Sequence, residues 1–253
     1  MSDAVTLCAQ RLETGDPDRF AAVMALPGPM RPAGFALYAL NLELAHAPWA
    51  SPEPMVAEIR LQWWIEALEA QGKEGREIPH DIGPALANIA PQAIEFMVES
   101  GEARRADCWS DPFEDAARLW DYLDATAGAP MVALGLSLGA EAEVSLRAYG
   151  AAAGLANWLV AQPELTARGR LGLSGATPQN LAALAKEGLA RLTAAEAALK
   201  AADQPARLAA LAGWQARAIL QKAARTPEAI AKGTLRGSDF SRRFALLKAR
   251  LAA

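Results

Sequence analysis

The sequence predicts an all-α fold, and three observations carry that expectation. Apolar residues recur at three- and four-residue spacing, with Ala, Leu, Glu and Arg filling most of the periodic positions. β-branched residues are sparse, and no run alternates apolar and polar residues as a half-buried strand would. Glycine and proline fall between the periodic runs and act as punctuation. The chain has 253 residues, no interior linker and no fixed-period repeat, so one domain over 1–253 is expected, large enough for a substantial core.

The elements follow in order. Asp16 precedes Pro17, an N-cap followed by proline at the first helical position. The run from Pro27 to Pro32 breaks the chain before a helix over Phe35–Ala45. The segment Ala47–Pro54 ends it, and Ser51 is read as the cap of a helix reaching about Gln71. Residues 72–83 are a polar loop, followed by a helix over Pro84–Ser100 and another from Asp111, its cap, to about Ala127. Ala127-Gly-Ala-Pro130 interrupts the pattern, and Met131–Leu138 continues it. Glu141–Leu159 is apolar on nearly all sides and is expected to be a central buried helix, ended or kinked at Pro163. Beyond the loop at 169–175, helices are expected over Thr177–Ala201, Pro205–Ala224, Pro227–Lys232 and Ser238–Leu251.

Composition narrows the function classes. A net charge of −4 argues against a nucleic-acid binder. Cys8 and Cys108 match no ligand spacing, which suits a reduced, cytoplasmic setting. The start carries no basic stretch and no long apolar run, so a secretory leader is not expected. His46 and His80 are isolated, and no Ser/His/Asp arrangement or glycine-rich phosphate loop is present.

Three segments hold the candidate chemistry. The first, Phe35–His46, contains Tyr38, Asn41 and Glu43. In the second, Arg60–Leu68, Leu61, Trp64, Ile65 and Leu68 share one helix face and are expected to pack in the core. That leaves Arg60, Gln62 and Trp63 for the surface, for a cavity or for a partner. The third, Ala153–Arg170, carries Asn157, Glu164, Arg168 and Arg170. The two arginines either close a helix C-terminus or bind a phosphate or carboxylate. From Trp214 onward basic residues outnumber acids, giving either a solvated basic face or a face for an anionic membrane surface.

Together these segments resemble the squalene/phytoene synthase family, from about Asp18 to about Lys248. The resemblance implies an isoprenoid-synthase-type helical bundle around a central cavity. In that family aspartates on two facing segments hold magnesium against a prenyl diphosphate, and two prenyl diphosphates condense head to head. Aligned on Leu37-Tyr38-Ala39, the first set of aspartates would fall near Ala45, His46 and Trp49. In the second segment Asn157 and Arg168-Gly169-Arg170 match, Ala161 and Leu165 stand where aspartates are expected, and Glu164 keeps one acid. Tyr122 and Gly128 match a tyrosine and a small-residue break that lie against the substrate tail, while Pro130 departs from the pattern.

Magnesium prefers hard oxygen ligands in near-octahedral geometry, and alanine, leucine and tryptophan offer none. No metal site and no cofactor are therefore expected. Asn41-Leu-Glu-Leu-Ala45 followed by Arg60-Leu-Gln-Trp-Trp64 is closest to the branch of non-catalytic relatives that act in assembly of respiratory complex I. On that resemblance the expected partners are a respiratory-complex subunit or an isoprenoid-like lipid, in the cytoplasm or against the inner face of the membrane. The alternative is a divergent prenyltransferase of the squalene/phytoene type. It would need Mg2+ held by acids such as Glu43, Glu58 and Glu164.

Overall fold

The computed structural model describes residues 2–109, 111–170 and 172–253. Helix starts are set by local side-chain chemistry. The Ser2, Asp16, Asp115, Thr177, Asp203 and Ser238 side chains each accept a backbone N–H of the first turn that follows, satisfying donors the helix cannot pair internally.

Fourteen α-helices result among the described residues. They are α1 Asp3–Gly15, α2 Pro17–Met24, α3 Arg31–His46, α4 Pro54–Glu74, α5 Gly83–Leu86, α6 Pro91–Ala103 and α7 Ala116–Leu123. The second half holds α8 Ala129–Ser137, α9 Glu143–Ala167, α10 Pro178–Lys200, α11 Gln204–Ala209, α12 Ala216–Arg225, α13 Glu228–Ala231 and α14 Asp239–Ala252. Among the described residues there is no strand, only an isolated bridge between Phe113 and Leu173.

Several boundaries differ from the sequence expectation. Glu53, not Ser51, stands at the start of α4, and Ser51 instead accepts the Glu53 N–H in a local turn. Asp115, not Asp111, caps α7. The expected Pro84–Ser100 helix is two, because Pro91 cannot continue a helix from α5. The expected Pro205–Ala224 helix is likewise divided, by a 3-10 turn over Ala210–Gly213. Helix α9 runs through Pro163 to Ala167. Helix α1 has no counterpart in the sequence reading.

The core is arranged around α9, whose residues from Leu146 to Gln162 are mostly buried, as its apolar circumference anticipates. It packs against α8, α10, α12, α13 and the segment between α7 and α8. That segment, Asp124–Gly128, is a π-turn in which the Ala129 N–H reaches the Asp124 carbonyl. Pro130 follows, with no N–H to offer a regular helical ladder. The Thr126 hydroxyl donates to the Tyr122 carbonyl at 2.7 Å, pairing an acceptor within the widened turn. What looks like an interruption in sequence is therefore a continuous but widened helical turn.

Glycine lets α9 approach that turn. A Cβ on Gly150 would lie 2.7 Å from the Ala127 carbonyl oxygen and 2.9 Å from the Gly128 Cα. The contact is reinforced by Arg147, which donates two 2.7 Å bonds to the Glu99 carboxylate on α6 and one of 2.6 Å to Asp124. Cys8 and Cys108 are buried free thiols.

Gly150→Ala is expected to push α9 off the π-turn. The cost is about 1–3 kcal/mol of overpacking. Thermal unfolding should show Tm lowered by about 2–4 °C for each kcal/mol, the scale for a chain of this size. An unchanged Tm would mean that the close approach carries no weight.

Candidate functional site

A cavity of about 450 Å³ opens between α2, the end of α3, α7, the π-turn, α9 and the turn before α12. Its size falls in the range of small-molecule sites. Small side chains make room for it: Ala127, Ala153, Gly154, Ala161, Ala212 and Gly213 all line the wall.

The polar part of the wall consists of paired charges. Asp16 meets Arg19 at 3.3 Å, Asp18 meets Arg236 at 3.3 Å, and Asp107 meets Arg104 at 3.2 Å. All six residues line the cavity, so its three acids are matched by three arginines. Trp214 donates its indole N–H to the Asp18 carbonyl and completes this side.

Asp107 is the most unusual of these groups. It is 2% exposed, and its Oδ2 also accepts the Tyr122 hydroxyl at 3.1 Å. Burial pushes its carboxyl above the usual range, against the opposing pull of Arg104, Tyr122 and Arg170. Burial likewise pushes the Tyr122 hydroxyl far upward, with the Asp107 charge adding to it. The sequence reading passed over Asp107, which sits in a short 3-10 turn with no motif around it. The one signal in the sequence is Arg104-Arg-Ala-Asp107, an i, i+3 pair of the kind that also occurs on solvated helix faces.

The predicted site residues divide. Tyr122 and Asn157 line the cavity. Tyr38 lies one layer behind, 2% exposed under the Arg19 guanidinium, with burial pushing its hydroxyl up to about 12. Asn41 is buried on α3 without lining the cavity, and its Oδ1 makes no hydrogen bond to a described residue. Glu43 points to α1, where Arg11 bridges it at 2.6 Å to Asp81. Arg60 is exposed on the outer face of α4. Gln62 on the same helix accepts from Arg105 and donates to Glu66. Trp63 is exposed beside a shallow surface depression, with its ring edge-on to Trp64. Glu164 is exposed and paired with Arg168.

The ends of α3 and α9 meet at the cavity. Ala45 and Trp49 line it from one side, Ala161 and Leu165 from the other. Arg168 and Arg170 both lie over the Trp49 ring, at 5.0 and 5.1 Å from its centroid. Arg170 also donates to the Asp107 carbonyl at 2.7 Å. Its position is held by the loop after α9, where the Phe113 N–H donates to Gly172 and the Ser174 N–H donates back, each at 2.9 Å.

Residues 12–176 match the model of the squalene/phytoene synthase family. The chain belongs to that family. Two solved structures show the same fold. A dehydrosqualene synthase in complex with ligand superposes with a TM-score of 0.82 at 16% identity, over 98% of this chain and 95% of that one. The squalene synthase HpnC from Alicyclobacillus acidocaldarius superposes with a TM-score of 0.69 at 18% identity, over 89% of this chain and 94% of that one. No curated protein matches the sequence. The all-α bundle around a cavity is thus the fold that the family resemblance implied.

Members of this family are prenyltransferases of the squalene/phytoene synthase type. The resemblance places their magnesium-binding aspartates near Ala45, His46 and Trp49 and at Ala161 and Leu165; His46 is exposed outside the cavity, and the other four line it. These residues do not fit magnesium, because none offers a hard oxygen. Among the described residues no group of three or more His, Cys, Asp or Glu is placed to hold a metal ion. Glu43, Glu58 and Glu164, the acids that the alternative reading would require, are each paired with an arginine outside the cavity wall.

The raised Asp107 carboxyl makes a pH prediction. Its folded pKa lies above the unfolded value, so its contribution is fully present below the unfolded pKa near 4 and lost as pH rises through the folded pKa. Asp107→Asn cannot ionise. The Tm of the variant minus that of the parent should therefore increase from acid to neutral pH. A difference flat across that window would remove the linkage.

Proposed function

We propose that this chain is a non-catalytic relative of the squalene/phytoene synthases that serves as an assembly or lipid-binding factor, in the manner of the branch acting on respiratory complex I. The observation that carries the reading is Trp49, held under Arg168 and Arg170 between the two facing segments. Head-to-head prenyl transfer begins with departure of a diphosphate from an allylic carbon. Departure requires charge stabilisation concentrated at the leaving oxygens. Here an indole and apolar side chains occupy the positions from which that stabilisation would come.

The balanced charges of the wall support the same reading. A diphosphate entering the cavity would meet arginines already neutralised by Asp16, Asp18 and Asp107. Releasing Arg104 would leave the buried Asp107 carboxylate without its ion-pair partner, a costly exchange. An uncharged, isoprenoid-like chain needs no such exchange, and the small residues give it room. The candidate anion site at Arg168 and Arg170 is likewise engaged, one with Glu164 and the other with the Asp107 carbonyl.

Two experiments test this. Purified protein incubated with farnesyl or geranylgeranyl diphosphate and magnesium should release diphosphate only at background. Release above background that Glu164→Ala abolishes would establish the prenyltransferase instead. In the source organism, deletion of the gene should lower the amount of assembled complex I, and the intact chain should restore it. Undiminished complex I in the deletion strain would remove the assembly role.

A further inference from the structure

Helix α14 is unlike the rest of the molecule. None of its residues is buried. Four large apolar side chains stand out from it: Phe240, Phe244, Leu247 and Leu251, at 82, 61, 56 and 81% exposure. Their spacing of four, three and four residues puts them on one stripe, within about 30° of a common direction at about 100° per residue. The Phe240 and Phe244 rings stack at 12° between their planes, so the stripe starts as one aromatic surface. Leaving this much contiguous apolar area in water signals a docking surface.

Charge says what docks there. Arg243 and Lys248 are exposed, and they flank the stripe about 70° to either side of its centre. From Lys232 to Ala252 the chain carries six basic residues and one acid, Asp239, in a protein whose net charge is −4. An apolar stripe with a cation on either side is the pattern of a helix that lies in the headgroup layer of an anionic membrane. At fourteen residues α14 is about 21 Å long, too short to cross a bilayer. No described helix is long and apolar enough to do so.

The opposite face ties the helix to the cavity. Arg242 donates to Gln215 at 3.0 Å and pairs with Asp18. Both of those partners line the cavity wall. Arg250 donates to the Ala25 carbonyl at 2.7 Å, fixing the far end of the helix on the turn that closes α2. We infer that α14 is an in-plane membrane helix that seats the rim of the cavity on an anionic lipid surface.

The test uses the full chain and sedimentation with phosphatidylcholine vesicles, with and without phosphatidylglycerol. The reading stands apart from the diphosphate and complex I assays, since sedimentation detects neither turnover nor assembly. Binding to the anionic vesicles at low salt is expected, with loss at high salt as the charges are screened. Arg243→Glu with Lys248→Glu should weaken it by at least about thirtyfold, since each cation near an anionic surface contributes about a factor of five. Phe240→Ser with Phe244→Ser should weaken it by more than about a hundredfold through lost apolar burial. Both variants alter exposed side chains, so their circular dichroism melts should match the parent. Failure of the parent to bind anionic vesicles at low salt would overturn the inference, as would variants that bind as the parent does. A dimer of the parent that Phe240→Ser with Phe244→Ser dissociates, without vesicle binding, would give the stripe to a second copy of the chain.

Discussion

The site depends on one aromatic ring. Trp49 ends the 3-10 turn after α3 and lies beneath Arg168 and Arg170, which follow α9. A cation over an indole face is attracted by the ring quadrupole, by about 0.5–1 kcal/mol where water has access. Two such contacts join the turn after α3 to the segment after α9. Arg170 extends the link to the Asp107 carbonyl, and through Asp107 to Arg104 and Tyr122. One end of the cavity is therefore held by a linked set of cation–π contacts, hydrogen bonds and an ion pair.

The cavity arises from how closely α9 meets its neighbours. Gly150 and Gly154 bring the helix against the π-turn at Asp124–Gly128, and the alanines next to them leave volume unfilled. Widened turns of this kind occur often at functional sites, because they displace side chains from a regular helical register. Here the turn contributes Thr126 and Ala127 to the wall, just after Tyr122 and Leu123. An alanine-rich composition thus has two consequences: tight packing between helices where the backbones touch, and open space where they diverge.

Electrostatically the cavity and α14 are opposites. The cavity pairs every acid in its wall with an arginine. Helix α14 keeps Arg243 and Lys248 exposed beside an apolar stripe. Asp18 belongs to both, since it binds Arg236 in the wall and Arg242 on the helix.

The sequence alone determined the class of fold, several helix starts and the buried nature of α9. These follow from local rules: apolar spacing, capping side chains and the missing N–H of proline. The family was legible in Tyr38, the Arg60–Trp64 run and the Asn157 to Arg170 segment. Sequence could not say which polar residue faces which neighbour. Glu43 has the spacing of a pocket residue, yet Arg11, thirty-two positions earlier, holds it outside the wall. Asp107 has no motif around it, and only packing buries it against Tyr122 and the cavity. The pairing of Trp49 with arginines more than a hundred residues away, and the choice of which apolar stripe stays uncovered, belong to the tertiary structure. Both depend on contacts between distant segments, and no local pattern encodes them.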